Sequence, residues 1–213
     1  MGKKINRSYI LVCGVLVLLC MGLIYAWSIF VGPIESDFGW TRTQTSMTFS
    51  ISMLGFSIGG LSAGYIQKAK SPKFVVGNAL CPMHIPVLLA GFLSCSQIHQ
   101  LWQLFVFYGV FCGYGVGLCY NVWLGTTLAN YNDKTGFASG WLLMGFGLGG
   151  FILGKAASAM LYSPLGWRKT FIIIGIIVFI LLIVTLPLLV VPEKNDSTET
   201  TVSAGNDYSP SQM

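Results

Sequence analysis

Apolar residues run along this chain in long, nearly uncharged stretches instead of the short periodic patterns of a soluble core. Six of them, at about 9–31, 44–66, 74–94, 101–124, 136–160 and 170–191, reach the roughly 20 residues that cover about 30 Å of hydrocarbon. Backbone groups in lipid must pair within a helix or a closed barrel, and these runs lack the alternation of barrel strands. The pattern predicts an all-α membrane protein with six transmembrane helices. Connections of about four to twelve residues predict antiparallel neighbours in one bundle. The first stretch is about twice as long as a signal-peptide apolar region, and no small-x-small pattern follows it, so it reads as a retained helix. Residues 1–8 read as a short N-terminal segment. After Pro192 the residues turn to Glu, Asp, Ser, Thr, Asn and Gly, and 192–213 reads as a disordered tail.

Composition supports this reading. Hydrophobic residues make up 54% of the 213 and charged residues only 9%, against about 25% charged in a soluble domain. The net charge of +5 reflects topology and does not point to nucleic acid. Lys3, Lys4, Arg7, Lys68, Lys70, Lys73, Lys134 and Lys194 fall on one side of the membrane, and only Arg42, Arg168 and Lys169 on the other. The positive-inside rule then places both termini in the cytoplasm. Trp27, Trp40, Trp102 and Trp167 fall near the outer interface and Trp123 and Trp141 near the inner one, as an aromatic belt requires. The six cysteines show no CxxC pairing and no histidines at metal-ligand spacing, so they read as small apolar filler, and no metal or cofactor is expected.

Glycines recur at intervals of four: Gly55 and Gly59, Gly60 and Gly64, Gly109, Gly113 and Gly117, Gly136 and Gly140, Gly145 and Gly149, Gly150 and Gly154. Such stripes let backbones approach closely in lipid, either as fixed packing or as a sliding surface. Lys155 is the charged residue set well inside a span. It either snorkels to the interface or meets an anion. His84 lies between Pro82 and Pro86, where it is either a satisfied structural histidine or a proton-coupling group. Gln44, Thr48 and Ser52 form a four-residue polar stripe, and Tyr120 with Asn121 forms another. Glu35 and Asp37 lie on the opposite side from Asp133, so no carboxylate pair assembles and no enzyme is expected.

The run Gly22 to Pro33, GLIYAWSIFVGP, followed by Phe38, Gly39, Trp40, Thr41 and Arg42, resembles the first-helix signature of the oxalate/formate antiporter family of the major facilitator superfamily. Tyr108, Gly109, Gly113, Gly115, Gly117 and Tyr120 resemble that family's fourth helix. Gly136, Ala138, Ser139 and Gly140, then Gly145, Gly147 and Gly149, resemble its fifth. The resemblance implies one six-helix half of a major facilitator fold, with the tail similar to the start of a central loop. It implies transport of small carboxylates such as oxalate and formate by alternating access, with a second half or a second copy as partner. Tyr25 and Ser28, on one helical face, would then line a substrate cavity together with Gln44, Tyr120, Asn121 and Lys155. The gating loops differ from the family pattern. Gly64 is followed by Gln67 and Lys68 where the family carries Asp, and Asp133 and Lys134 keep only the end of the second loop motif. A rival of another class is a membrane interaction protein, or a relic, that keeps the glycine faces and transports nothing.

If Lys155 meets an anion, Lys155→Gln weakens carboxylate binding much more than Lys134→Gln does. Equal binding by the two variants leaves Lys155 as a snorkelling residue.

Overall fold

The computed structural model describes residues 6–69 and 81–189, with the side chains of 67–69, 81–84 and 188 outside that description. The start of the third expected span, the side chains of Gln67, Lys68 and His84, and the tail after 189 therefore lie outside the described residues. Six helical rods follow one another, with no strand among the described residues. They are α1 (Arg7–Phe38), α2 (Arg42–Ala69), α3 (Cys81–Cys95), α4 (Leu101–Asn130), α5 (Thr135–Leu161) and α6 (Gly166–Thr185). All except α3 are long and apolar enough to cross a membrane, and α3 is a shorter apolar helix.

The rods run past several of the apolar stretches because hydrogen bonding continues where hydrophobicity stops. At the end of α1, Gly39 takes a left-handed φ of 67° and its N–H closes the helix on the Glu35 carbonyl at 2.8 Å, a conformation that costs glycine no Cβ clash. Thr41 then starts α2. Its hydroxyl accepts from the Gln44 N–H at 3.4 Å, while the Gln44 side chain accepts from the Thr41 N–H at 2.9 Å, a reciprocal cap. The Phe-Gly-Trp-Thr-Arg signature is thus a helix stop joined to a helix start. Gly166 repeats the positive φ at the start of α6.

Side chains tie this far end of the bundle together. Asp37 accepts from the Trp167 indole N–H at 2.6 Å, and Glu35 accepts from the Thr45 hydroxyl at 2.6 Å and pairs with Arg42 at 3.2 Å. Arg168 donates to the carbonyls of Ser96 and Ile98 at 2.9 and 3.2 Å, and its guanidinium lies 4.4 Å from the Trp167 ring centre. At the opposite, N-terminal end, Arg7 bonds Asp133 at 2.9 Å and lies over Tyr131.

Between the ends, helices meet along glycine. A side chain at Gly59 would collide with the Tyr114 carbonyl, at Gly113 with Ser52, and at Gly117 with the Phe56 carbonyl. These positions bring α2 backbone to backbone with α4. Gly22 and Gly149 do the same for α1 and α5, where a Cβ on Gly149 would fall on the Leu19 carbonyl. By contrast, Gly64, Gly136, Gly140 and Gly147 face open space. The glycine spacing therefore overstates the seams in two places, since Gly136 with Gly140, and Gly64 of its pair with Gly60, meet no neighbour. α3 packs behind α4 and against α6, with Phe30 of α1 stacked on Phe171 of α6 at 4.5 Å.

Gly149→Ala is expected to destabilise the bundle by about 1–3 kcal/mol, the usual cost of overpacking. Gly147→Ala stays within about 0.5 kcal/mol of the parent. Reversible SDS titration of the purified chain separates the two, and equal losses would show that the α1–α5 seam is not a close backbone contact.

Candidate functional site

Four helices each contribute one aromatic ring to a shared floor. α1 passes through a tight 3₁₀ stretch at Gly22–Ala26, which turns Tyr25 away from the core and leaves it 47% exposed. Its ring meets Phe146 of α5 edge-on at 5.3 Å. Tyr120 of α4 tilts against the same Phe146 at 4.9 Å. Phe56 of α2 completes the set, 5.6 Å from Tyr120 and 6.0 Å from Phe146. The arrangement presents two phenol hydroxyls on an otherwise apolar surface. Asn121 lies beside Tyr120, donates to the Gly117 carbonyl at 3.1 Å and occupies the space that a side chain at Gly60 would fill.

Beside the floor a cavity of about 360 Å³ runs between α1 and α2, lined by Tyr25, Trp27, Ser28, Ser46, Ser50 and Arg42 with Val31 and Phe49. From Arg42 to Ser50 it covers about 12 Å of helix rise. Its wall is apolar with hydroxyl tips, and Arg42 stands at its far end. The Arg42 side chain is 67% exposed while its partner Glu35 is 19% exposed, so the guanidinium keeps donors turned to the opening. Trp27 is held in the wall by its indole N–H, which donates to the Thr45 carbonyl at 3.0 Å.

The structure brings Tyr25, Ser28 and Tyr120 to this region, with Asn121 one position on. Gln44 lies at the helix start, engaged in the cap. Thr48 and Ser52 are buried and turned toward α4, Ser52 bonding the Phe49 carbonyl at 2.7 Å. Lys155 is exposed, with its ammonium 4.6 Å from the Phe151 ring centre on the preceding turn of α5. Gly64 faces open space. Asp133 and Lys134 belong to the α4–α5 connection at the N-terminal end.

The sequence profile of the Major Facilitator Superfamily matches residues 6–208. The chain belongs to that superfamily. The oxalate:formate antiporter of Oxalobacter formigenes is 27% identical over 215 residues, covering 98% of this chain and 48% of that protein. The uncharacterized MFS-type transporter YhjX of Escherichia coli strain K12 is 26% identical over 181 residues, covering 84% of this chain and 43% of that protein. The chain spans about half the length of these relatives. It is an integral, multi-pass membrane protein of a transporter family.

Sequence reasoning missed Arg42, Ser46, Ser50, Phe56 and Phe146 in this facilitator fold. Of the α2 hydroxyls, Ser46 and Ser50 line the cavity, while Thr48 and Ser52 are buried. Thr48 and Ser52 continue into Gly55 and Gly59 at helical spacing, which marks them as part of the small-residue packing seam. Ser46 and Ser50 share no such continuation, and that difference was present in the sequence. Phe146 sits among the α5 glycines, and only the fold shows that the rings of three other helices touch or adjoin it.

At the N-terminal end, the hydrogen bond from Arg7 holds the Asp133 carboxyl below its ordinary value of 3.8, with lesser help from Lys134. A lowered carboxylate pKa contributes stability that is fully present above the unfolded-state value and is lost as pH falls through the folded one. The Arg7–Asp133 contact is therefore intact at neutral pH. Carbon-13 NMR of the Asp133 carboxyl should show a midpoint below 3.8 that rises in Arg7→Gln. An unshifted midpoint in the parent chain would contradict the contact.

Proposed function

We propose that this chain is the first six-helix half of a secondary transporter for small organic anions such as oxalate and formate, working by alternating access against a second six-helix unit. The observation that carries the reading is the pair of tyrosines, Tyr25 and Tyr120, on one aromatic floor beside a hydroxyl-lined cavity. A carboxylate accepts from phenol and serine hydroxyls, and the ring faces exclude water around it. The likeness to an oxalate:formate antiporter supports this ligand class.

The surface of the bundle supports the need for a partner unit. Beyond Lys169 at its start, the exposed residues of α6 are aliphatic, Ile176, Ile177, Ile180, Ile183 and Val184, as lipid contact demands. The exposed face of α2 carries Ser46, Ser50 and Ser57 among its apolar residues, and α2 and α5 are less buried than α1 and α4. Hydroxyls on that side face a polar cavity or another protein. In this reading both termini are cytoplasmic, the α3 region completes a sixth span, and the cavity opens at the outer face with Arg42 drawing anions to it. Lys155 adds a point charge from α5, and His84 is the proton-coupling candidate. The loop Gly64, Gln67 and Lys68 works with Asp133 and Lys134 in gating. The second unit, either a separate half or a second copy of this chain, supplies the remaining anion-pairing charge.

The test is titration of oxalate, formate and lactate against the chain in nanodiscs, followed by tryptophan fluorescence, with uptake into liposomes and stoichiometry measured on the same preparation. A hydrogen bond to a charged group is worth about 1.5–3 kcal/mol, so Tyr25→Phe should weaken binding about tenfold or more. Identical binding by the parent and by Tyr25→Phe and Tyr120→Phe would remove the tyrosines from the site. Saturable uptake by a dimer identifies a second copy as the partner, and binding without uptake by a monomer identifies a separate half.

A further inference from the structure

The two helices that bear the tyrosines are both irregular, and the irregularities face each other. α1 is wound as a 3₁₀ helix over Gly22–Ala26, and α4 is wound as a π-helix over Phe105–Cys112. Such runs inside a helix mark hinges or functional sites, and both here exceed the usual length. Neither contains proline, and Pro33 of α1 lies well beyond the 3₁₀ stretch. Each stretch contains a glycine, Gly22 and Gly109, and a second cause of helix irregularity, a side chain that reaches the backbone carbonyls of a neighbouring ladder, is present as well. The buried Tyr108, in the middle of the π stretch, donates its hydroxyl to the Ile24 carbonyl in the middle of the 3₁₀ stretch at 3.4 Å. Its ring packs on Trp27, just past that stretch, at 4.3 Å. A third observation falls at the same point. A small void of about 10 Å³ lies against Leu23 and Ile24 of one stretch and Tyr108 and Cys112 of the other, so packing at the joint is incomplete.

We propose that Tyr108 is a positioning residue that latches the 3₁₀ stretch of α1 and thereby holds Tyr25 on the aromatic floor. The two stretches act as one hinge. A 3₁₀ helix advances about 120° per residue and an α-helix about 100°, so relaxing the five residues of Gly22–Ala26 turns one part of α1 against the other by about 100° and shortens it by about 2.5 Å. Tyr25 lies inside that stretch, and a rotation of this size takes its ring off Phe146. With the latch closed, the rings of α1, α2, α4 and α5 form one floor. With it open, the α1 member is withdrawn. The role of Tyr25 toward an anion rests on the function proposed above, but the latch itself is a conformational statement that holds without substrate.

The experiment incorporates 3-fluorotyrosine at position 25 of the full chain in nanodiscs and records fluorine-19 NMR with no carboxylate present. The parent chain should give one dominant resonance. Tyr108→Phe keeps the ring on Trp27 and removes only the hydroxyl. It should produce a second resonance carrying about a tenth or more of the intensity, the population of a nearby state once one hydrogen bond is gone. A folded Tyr108→Phe with a single unshifted resonance overturns the latch, because a purely structural tyrosine would lower the melting point without splitting the line. Hydrogen exchange on the parent chain provides a second reading. The amides of Leu23–Trp27 should exchange about tenfold faster than those of Val15–Leu19, and equal protection also overturns the proposal. Absence of carboxylate binding with a split resonance would fault the anion reading alone.

Discussion

Close backbone contact across glycine is the constraint on which the rest of this bundle depends. Between helices in lipid the hydrophobic effect supplies little, because acyl chains are as apolar as leucine, and van der Waals packing of bare backbones takes its place. The α2–α4 seam at Gly59, Gly113 and Gly117 and the α1–α5 seam at Gly22 and Gly149 bring main chains together that side chains would hold apart. Only at that spacing do Tyr25, Phe56, Tyr120 and Phe146 come within ring contact. The aromatic floor of this bundle is thus a consequence of where side chains are missing.

The far end shows a second use of local rules. Glu35 and Asp37 lie beyond the first apolar stretch of the sequence, and each is bound. Glu35 holds the start of α2 through Thr45 and Arg42, and Asp37 holds the start of α6 through Trp167. Arg168 closes the α3–α4 connection from the same side. These contacts fix the mouth of the cavity while the floor below it stands on the irregular stretches of α1 and α4. The bundle is pinned by side chains at this end, and its irregular winding lies nearer the middle.

Much of this was legible in the sequence, for physical reasons that differ from element to element. Long uncharged runs announced helical spans because lipid leaves the backbone few alternatives. Tyr25 and Tyr120 stand out only through the resemblance of their segments to the antiporter family, because a tyrosine in an apolar run reads equally well as aromatic packing. The register of the α2 hydroxyls was harder, since serine serves both as a small packing residue and as a hydrogen-bond donor, and only Thr48 and Ser52 continue into glycine. The 3₁₀ and π stretches were not legible at all. No proline marks them, and the hydrogen bond that joins them, from the Tyr108 hydroxyl to the Ile24 carbonyl, spans 84 residues of chain. Likewise the partners of Asp37 and Asp133 lie 130 and 126 residues distant, beyond any local pattern.

In the proposed reading the serine-bearing face of α2 meets another protein, while the aliphatic face of α6 meets lipid. The most direct measurement places a photo-crosslinking amino acid at Leu54 of α2 and, separately, at Ile180 of α6, in membranes holding the full chain. A second six-helix unit on the α2 face predicts a protein adduct at Leu54, either a doubled chain or a chain joined to a separate half, and lipid adducts at Ile180. Lipid adducts at both positions would contradict the account.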